Sequence, residues 1–436
     1  MSSLRNTARS IAQQTIGRLP RSTTRLSGPL AINGGEPVRN VRYRPWPRHL
    51  AASPARWRAV ASQFRQIYLS GAEGLPQTRQ KQFAASWAEY CGCRHGLMLG
   101  HGTDALRLAL AAAFEHDGLD YGGEVIVPNL SFIATATAAL DRRFGVAFVD
   151  VEAGTLNLDP ARVEAAIVPG KTRAIMPVHQ FGQPANMTAL GDIARRHGLV
   201  VIEDAAQAHG AEWESGRVGS LGHAAAFSFQ SAKNLAAGEG GMLTTNDSEL
   251  FERAFSMHNA GRSRAAESRW EHPFLGWNIR PTEYQAALLI ERFSQFEGEQ
   301  QRRAAAFARL RSLLSNVACV RAIEQPPAVR RHGMYMFVVR YLPDQCGLRP
   351  IDDFVAAVGA EGVPLIRCYS NTLSNQPAMQ ALLTKRPDYL RVLPTPVSDR
   401  ATGEIAYLPS NVFLAGEAEM EDIAAALDKV GRSFAA

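Results

Sequence analysis

The chain has 436 residues, and its 47 Lys plus Arg exceed its 41 Asp plus Glu, for a formal net charge of +6. Five arginines and no acid fall within the first 28 residues, so the remaining chain is nearly neutral and lacks the clustered basic face that nucleic-acid binding needs. The hydrophobic content of 46% is typical of a globular protein, and no run of about 18 uncharged apolar residues predicts a membrane span.

The sequence predicts four consecutive segments. Residues 1–28 are rich in Arg and Ser without acids, a composition shared by transit peptides and disordered extensions, and we favour a disordered basic tail. Residues 29–75 are predicted to form an N-terminal arm and helix. Residues 76–295 are predicted to form a large domain, and residues 296–436 a smaller C-terminal α+β domain.

Short apolar runs alternate with helical patterns between residues 95 and 245. The strand-like runs are 95–99, 124–128, 146–151, 173–178, 199–203, 224–229 and 241–245. The helical patterns are 104–114, 132–140, 160–167 and 187–197, each near a capping residue: Thr103, Ser131, Asp159 or Asn186. This alternation predicts an α/β fold with a mostly parallel seven-stranded sheet between layers of helices. In such sheets the ligand lies at the carboxyl ends of the strands.

A long helical pattern at 282–310 leads into the smaller domain. That domain has a predicted strand at 335–341 and predicted helices near 351–358 and 419–430. The five cysteines are scattered, and Cys91-Gly92-Cys93 lacks the second ligand pair of a zinc site. We therefore expect no metal, free thiols, a cytoplasmic location, and neither a nucleic-acid nor a membrane partner.

The first candidate site segment is the turn Gly100-His101-Gly102-Thr103-Asp104. It joins a predicted strand to a predicted helix, so backbone N–H groups and the helix N-terminus can bind an anion. The turn matches neither the P-loop nor the dinucleotide-binding pattern. Taken alone, it is either a phosphate site or only a turn.

Two further segments carry polar residues at strand ends. Asp204 follows four apolar residues and Glu203, and it is either a helix cap or a carboxylate partner for a cationic ring nitrogen. Lys233 lies in a small-residue loop after a strand, and it is one of only five lysines in a chain with 42 arginines. An arginine stays protonated, whereas a desolvated lysine amine can attack a carbonyl.

The order of these three elements is the order that a pyridoxal 5'-phosphate (PLP) enzyme needs. From about residue 34 to 430 the chain resembles the DegT/DnrJ/StrS family of PLP-dependent sugar aminotransferases, which have fold type I, the aspartate-aminotransferase-like fold. The stretches that carry the resemblance are Gly102-Thr103-Asp104-Ala105-Leu106, Ser131-Phe132-Ile133-Ala134-Thr135-Ala136, Phe148-Val149-Asp150-Val151, Pro177-Val178-His179-Gln180-Phe181-Gly182, Glu203-Asp204-Ala205-Ala206-Gln207, Ser228-Phe229, Lys233-Asn234-Leu235, Gly238-Glu239-Gly240-Gly241 and Gly276-Trp277-Asn278-Ile279-Arg280.

The resemblance implies a role for each matching residue around the cofactor ring. Lys233 would form the Schiff base with PLP and later move a proton between substrate and cofactor. Asp204 would keep the ring nitrogen protonated, so that the ring accepts electrons. Gln207 would approach the phenolic oxygen, and Phe132 would stack on the ring.

The resemblance also implies a phosphate site made by two subunits. Thr103, Ser228 and the backbone around Gly102 would hold the phosphate, with Asp104 assisting nearby. Asn278 would reach the phosphate of a neighbouring subunit, which implies a homodimer with active sites at the interface.

Other candidates are predicted to be structural. His179, His209 and His332 are expected to make structural hydrogen bonds rather than substrate contacts, and Arg280 either orients its loop or binds substrate. The four remaining lysines are expected at the surface: Lys81, Lys171, Lys385 and Lys429.

The resemblance implies that L-glutamate or L-glutamine donates an amino group, and that a keto sugar or keto cyclitol accepts it. Sugar-dehydrating relatives replace the lysine by histidine, so Lys233 favours transamination. Residues 30–39 and Pro45-Trp46-Pro47 are similar to the branch of scyllo-inosose aminotransferases and aminohydroxybenzoate synthases, which favours aminoglycoside-like biosynthesis. Nucleotide-sugar aminotransferases of polysaccharide biosynthesis remain an alternative. A regulatory or sensory PLP-binding protein is an alternative of another class.

Overall fold

The computed structural model describes residues 26–41, 43, 53–74, 78–115, 120–264 and 270–436. The predicted basic tail lies outside the described residues except for its last three, and so does the Pro45-Trp46-Pro47 motif. Within the described part of the chain, no helix combines the length and apolar character needed to cross a membrane.

Fifteen strands are found among the described residues. They are β1 (His95–Leu99), β2 (Glu124–Pro128), β3 (Gly145–Val149), β4 (Thr172–Ile175), β5 (Val200–Asp204), β6 (Glu212–Trp213), β7 (Gly216–Arg217), β8 (Ala224–Ser228), β9 (Gly241–Thr245), β10 (Val320–Ala322), β11 (Val329–Arg331), β12 (Met336–Tyr341), β13 (Ile366–Arg367), β14 (Leu390–Val392) and β15 (Ile405–Pro409).

The same residues contain twelve α-helices. They are α1 (Pro54–Ser70), α2 (Thr78–Cys91), α3 (Gly102–Phe114), α4 (Ala134–Asp141), α5 (Pro160–Ala166), α6 (Met187–His197), α7 (Ser248–His258), α8 (Glu283–Leu314), α9 (Ile351–Ala360), α10 (Pro377–Lys385), α11 (Pro396–Ala401) and α12 (Glu417–Ala435).

The large sheet has the strand order β1-β9-β8-β5-β4-β2-β3-β14. All pairs from β8 to β14 are parallel, and β9 runs antiparallel to both β1 and β8. Every residue of β2 and β3 is buried, because helices cover both faces of the sheet. The α/β fold and all seven predicted strands are therefore confirmed, each within three residues of its predicted bounds.

The predicted count of seven strands is wrong by one. The eighth strand, β14, comes from the C-terminal part of the chain and pairs in parallel with the edge strand β3. It has three residues and lies between Pro387 and Pro394, so it is too short to show a strand periodicity. The Nε of Arg391 within it donates to the buried carboxylate of Glu124 at 2.9 Å.

Two of the four predicted helix caps are confirmed. Asp159 accepts a hydrogen bond from the backbone N–H of Ala161, and Asn186 accepts one from Ala189. Thr103 is not a cap, because α3 already begins at Gly102. Ser131 is not a cap either, because the N-cap position of α4 falls at Ile133.

A second sheet lies in the C-terminal part of the chain and is antiparallel throughout. Its strand order is β10-β12-β15-β13, and Phe307, Phe337 and Phe413 pack together in the core between this sheet and α8. The predicted domain boundary between residues 295 and 296 falls inside α8, a continuous helix of 32 residues. The division into two domains stays a prediction. A small third sheet has the order β11-β6-β7.

Lys429 is buried, which corrects its predicted place at the surface. Its ammonium group is 3.0 Å from both carboxylate oxygens of Glu361, which is fully buried. The same carboxylate accepts hydrogen bonds from the backbone N–H groups of Ala31 and Val38, each at 2.9 Å. The ion pair therefore holds the N-terminal residues 31–38 against α9 and α12.

We predict that Lys429→Met lowers the free energy of unfolding by about 3 kcal/mol, because it leaves the Glu361 carboxylate buried without its cation. Urea denaturation measures this change, and limited proteolysis should show faster cleavage near residues 31–38. The exposed Lys385→Met is the control, with a change below about 0.5 kcal/mol. Equal denaturation midpoints for the two variants would contradict the structural role of Lys429.

Candidate active site

A cavity of about 590 Å³ lies where β5 and β8 end. This is the edge at which parallel sheets present their ligand groups. Eight of the nine residues predicted for the site line it: Gly102, Thr103, Asp104, Phe132, Asp204, Gln207, Ser228 and Lys233. The ninth, Asn278, is exposed and lies outside this lining.

The predicted anion-binding turn, residues 100–104, packs tightly against β8 where α3 begins. A Cβ atom at Gly102 would lie 2.8 Å from the Cβ of Ser228, so only glycine fits there. No side chain caps α3, so its first backbone N–H groups are available to a ligand. The hydroxyls of Thr103 and Ser228 line the same corner, which suits a phosphate group.

Asp104 is held by a neighbour on its own helix. Its Oδ1 lies 2.8 Å from a guanidinium nitrogen of Arg107, one turn further along α3. Asp104 also lines the cavity, so this ion pair offsets a negative charge close to the anion-binding turn. An uncompensated carboxylate there would repel a phosphate.

Glu203 and Asp204 end β5, and Glu203 is fully buried with every oxygen occupied. It accepts hydrogen bonds from His179 and from three backbone N–H groups of the loop 219–222, at 2.8–3.0 Å. The Nδ1 of His179 accepts from the backbone N–H of Ala185, so its Nε2 carries the proton donated to Glu203. His179 therefore has the structural role that the sequence predicts.

Asp204 is buried but has fewer donors. Its Oδ2 accepts from the Thr135 hydroxyl at 2.8 Å, and its Oδ1 accepts from the backbone N–H of Ala206 at 3.2 Å. Burial raises the pKa of the Asp204 carboxyl, while these two hydrogen bonds and the Lys233 amine oppose that rise. A cationic group in the cavity would find a carboxylate with unused acceptor capacity.

The Lys233 amine lies in the same cavity. It donates to the Tyr335 hydroxyl at 3.4 Å and lies 4.4 Å from the centre of that ring. Desolvation by the surrounding protein lowers the pKa of Lys233 to about 8, and the Asp204 carboxylate partly opposes the shift. Roughly a tenth of this amine is therefore neutral and nucleophilic at pH 7, far more than of an ordinary lysine.

Gln207 and Phe132 form two walls of the cavity. The Oε1 of Gln207 accepts from the backbone N–H of Phe181 at 2.8 Å, and its Nε2 donates to the Tyr369 hydroxyl at 3.2 Å. Its amide is thus fixed with the N–H₂ group on the Tyr369 side. Phe132 is 63% exposed, which leaves its ring free to contact a planar ligand.

The segment that carries Asn278 is fixed by its own chain. The guanidinium of Arg142 lies 4.4 Å from the centre of the Trp277 ring, and that of Arg107 lies 5.6 Å away. The backbone N–H of Gly100 donates to the carbonyl of Ile279 at 2.9 Å. Asn278 itself pairs with Asn259 through a single antiparallel bridge.

Several residues that shape the cavity were not predicted. Tyr335, Met336 and Tyr369 line it, and the Thr135 hydroxyl donates a hydrogen bond to Asp204. Thr135 lies within a stretch that matches the family, and this was its only sequence signal. Tyr335 and Tyr369 come from the C-terminal part, and no local pattern places them near Lys233.

His209, His332 and the five cysteines are not among the residues that line the cavity. His209 is buried among Trp87, Phe227 and Phe229, and burial lowers its pKa to about 3. The Nδ1 of His332 accepts from the backbone N–H of Met334 at 2.8 Å. All five cysteines are free and buried.

These groups fit PLP. The glycine-closed turn with a free helix N-terminus suits a phosphate, the exposed Phe132 ring suits a planar ring, and Asp204 suits a cationic ring nitrogen. The amine of Lys233 suits an aldehyde. The fold and the site together define a PLP-dependent enzyme of fold type I.

Comparison with known proteins gives the family. Residues 61–428 match the model of the DegT/DnrJ/EryC1/StrS aminotransferase family, so the chain belongs to that family and is a PLP-dependent aminotransferase. The L-glutamine:scyllo-inosose aminotransferase of Streptomyces griseus is 34% identical over 419 residues, which cover 92% of this chain and 97% of that protein.

Two further relatives extend the comparison. The pleiotropic regulatory protein of Geobacillus stearothermophilus is 37% identical over 331 residues, or 76% of this chain and 83% of that protein. The crystal structure of 3-amino-5-hydroxybenzoic acid synthase matches with a TM-score of 0.77 and 29% identity, covering 90% of this chain and 99% of that one.

We predict that acetylation of Lys233 by acetic anhydride in PLP-free protein titrates with a midpoint near pH 8, because its pKa is lowered to about 8. Only the neutral amine reacts, so the rate rises with pH and levels off above the midpoint. An ordinary lysine would titrate near pH ~10.4. Peptide mass spectrometry measures the rate, with Lys385 as the exposed reference amine.

Asp204→Asn should move the Lys233 midpoint to lower pH, because the carboxylate stabilises the ammonium form. A midpoint that stays near pH ~10 in the wild-type chain would contradict the desolvation of this amine.

Proposed function

We propose that the protein transfers the amino group of L-glutamine to a keto cyclitol, with Lys233 and Asp204 as its catalytic residues. The observation that carries the proposal is one cavity that holds both an amine with a lowered pKa and an incompletely hydrogen-bonded carboxylate. The name of the Streptomyces griseus relative supports L-glutamine and an inosose as the two substrates.

The chain's own residues divide the chemistry between them. PLP, when bound, supplies a conjugated ring that stabilises charge on the carbon losing its proton. Burial lowers the pKa of Lys233 to about 8, so its amine can take a proton from that carbon and return it. Asp204 holds a cationic nitrogen by its charge, and Gln207 orients its amide toward the same cavity.

The charges of the cavity favour a neutral acceptor. Among the described residues that line it there is no arginine, and Lys233 is the only lysine. Asp204 and Glu239 add two carboxylates, and a third, Asp104, is paired with Arg107. A nucleotide sugar would bring two phosphate charges into this lining, whereas a keto cyclitol brings only hydroxyls and a carbonyl.

A regulatory function is a second candidate, because the Geobacillus relative is named a regulatory protein. A protein that only binds PLP would not need the lowered pKa of Lys233. The two functions are separated by turnover with an amino donor.

We predict that the protein with PLP shows a visible absorbance band that collapses on addition of L-glutamine. Lys233→Ala should abolish the band and slow this half-reaction by a factor on the order of 10⁴, because it removes both the imine-forming amine and the proton carrier. Stopped-flow absorbance measures both effects. A chain lacking residues 1–28 is the control and should react like the full chain.

The acceptor is then tested with the amino form of the cofactor. Recovery of the visible band with scyllo-inosose, and not with a keto nucleotide sugar, is the expected result. Recovery with the nucleotide sugar alone would overturn the cyclitol assignment. If the visible band persists with every amino donor, the transfer reaction is contradicted and the regulatory function is supported instead.

We further propose a homodimer in which Asn278 contacts the phosphate bound by the neighbouring subunit. Asn278 supports this assignment because it is exposed, lies outside the cavity of its own chain and sits on a fixed segment. A site shared between subunits makes a specific prediction for mixed dimers.

We predict that Lys233→Ala and Asn278→Ala complement each other. Asn278→Ala alone should weaken PLP binding about tenfold, because one hydrogen bond to a charged group is lost. In a mixed dimer, one site combines the intact Lys233 with the intact Asn278 of the other subunit. At a PLP concentration that fills wild-type sites but few Asn278→Ala sites, random mixing should therefore restore about a quarter of the wild-type sites. Activity equal to the average of the two separate variants would contradict the shared site.

A further inference from the structure

Two buried hydroxyls, those of Thr135 and Ser131, form a hydrogen-bonded chain that ends at Asp204. Ser131 is among the residues that line the cavity, whereas Thr135 is not. The Oγ1 of Thr135 is 2.8 Å from Asp204 Oδ2, and the Oγ of Ser131 is 3.1 Å from Thr135 Oγ1. Thr135 is fully buried, and Ser131 and Asp204 are each 5% exposed. Thr135 does not line the cavity, so it cannot touch a ligand there.

The direction of these hydrogen bonds follows from a proton count. An ionised carboxylate only accepts, so Thr135 must donate its single proton to Asp204. The Thr135 oxygen can then only accept from Ser131, which becomes the donor. The chain of donors runs from Ser131 through Thr135 to Asp204, and each bond polarises the next.

The hydrogen bonds of this chain favour the ionised form of Asp204, which burial disfavours. Burial raises the pKa of the Asp204 carboxyl, and the Thr135 hydroxyl is the largest hydrogen-bond contribution that opposes the rise. Without the hydroxyl, Asp204 would keep only the longer bond from the Ala206 backbone, at 3.2 Å. A protonated Asp204 could not hold a cation in the cavity.

We propose that Thr135 is a positioning residue that fixes the orientation of Asp204 and keeps it ionised, with Ser131 as the second link. This proposal rests on the proposed role of Asp204 beside a cationic ring nitrogen. Thr135 also fixes the turn in front of its helix, because its backbone N–H donates to the carbonyl of Phe132 at 3.3 Å. Thr135 therefore contacts both the Asp204 carboxylate and the backbone of Phe132, whose ring forms one wall of the cavity.

The matched variants are Thr135→Val and Thr137→Val, both on α4. Valine at 135 keeps the backbone bond and nearly the same volume, and it removes only the hydroxyl that reaches Asp204. The Thr137 hydroxyl bonds the Ala134 carbonyl of its own helix, so its removal leaves Asp204 unaffected. Thr135→Ser restores the hydroxyl and is the rescue variant.

In the PLP-bound protein, Thr135→Val should lower kcat for the L-glutamine half-reaction by about tenfold to hundredfold, the effect of one hydrogen bond to a charged group. KM for L-glutamine should change by less than about twofold, because Thr135 touches no substrate. The acid limb of the pH profile should move to higher pH by about one unit, because Asp204 becomes protonated more readily. Thr135→Ser should recover most of the loss, and Ser131→Ala should show a smaller effect.

Two readouts do not depend on turnover. The dissociation constant of PLP should rise about tenfold in Thr135→Val, and the pH at which the bound cofactor changes its absorbance should move. In the Asp204→Asn background, Thr135→Val should add no more than about a twofold effect, because the carboxylate that it positions is gone.

The outcomes separate this proposal from the proposed function. If Asp204→Asn is inactive while Thr135→Val keeps the wild-type pH profile and PLP affinity, the positioning role is wrong and the catalytic role of Asp204 stands. If Thr135→Val acts as strongly in the Asp204→Asn background as in the wild type, its role is merely structural. If Asp204→Asn itself has no effect, the proposed function fails first.

Discussion

Glu203 and Asp204 end the same buried strand, and the site depends on how differently the fold compensates their charges. Glu203 receives donors from His179 and from three backbone groups of the loop 219–222, so it fixes that loop against the sheet. Asp204 receives only the Thr135 hydroxyl and one backbone N–H. A carboxylate whose oxygens all accept hydrogen bonds stabilises the fold, whereas one with few donors can still bind a cation. The structural carboxylate and the one available to a cation are thus adjacent residues in the sequence.

The same desolvation acts on the amine that faces Asp204. It lowers the pKa of Lys233 to about 8 and raises that of Asp204, so each group becomes easier to neutralise. Their mutual attraction opposes both shifts, and the separation of their roles depends on that balance. An arginine at 233 would stay charged in such surroundings and could not act as a nucleophile. The proposed role of this residue therefore requires a lysine, in a chain with 42 arginines and only five lysines.

The elements that the sequence predicted are those with a local signal. The seven buried strands show continuous apolar runs, and the turn at Gly102 and the loop lysine at Lys233 follow strand ends directly. The missed elements depend on contacts between distant segments. Strand β14 reaches the sheet edge from more than 200 residues away, and Tyr335 approaches Lys233 from 102 residues away. Lys429 sits in an ordinary amphipathic helix, and only its buried partner Glu361 distinguishes it from a surface lysine.

The segment that carries Asn278 makes its contacts with other parts of its own chain. Trp277 lies against the guanidinium of Arg142, and Arg107 links the same indole to the Asp104 carboxylate beside the anion-binding turn. Immobilising a flexible segment on association costs free energy, and a segment already held in place avoids that cost. An Asn278 that serves a neighbouring site would therefore be presented in a fixed position before the subunits meet. Because Arg107 contacts both Trp277 and Asp104, one side chain positions both the turn at Gly102 and the segment whose Asn278 is proposed to serve a neighbouring subunit.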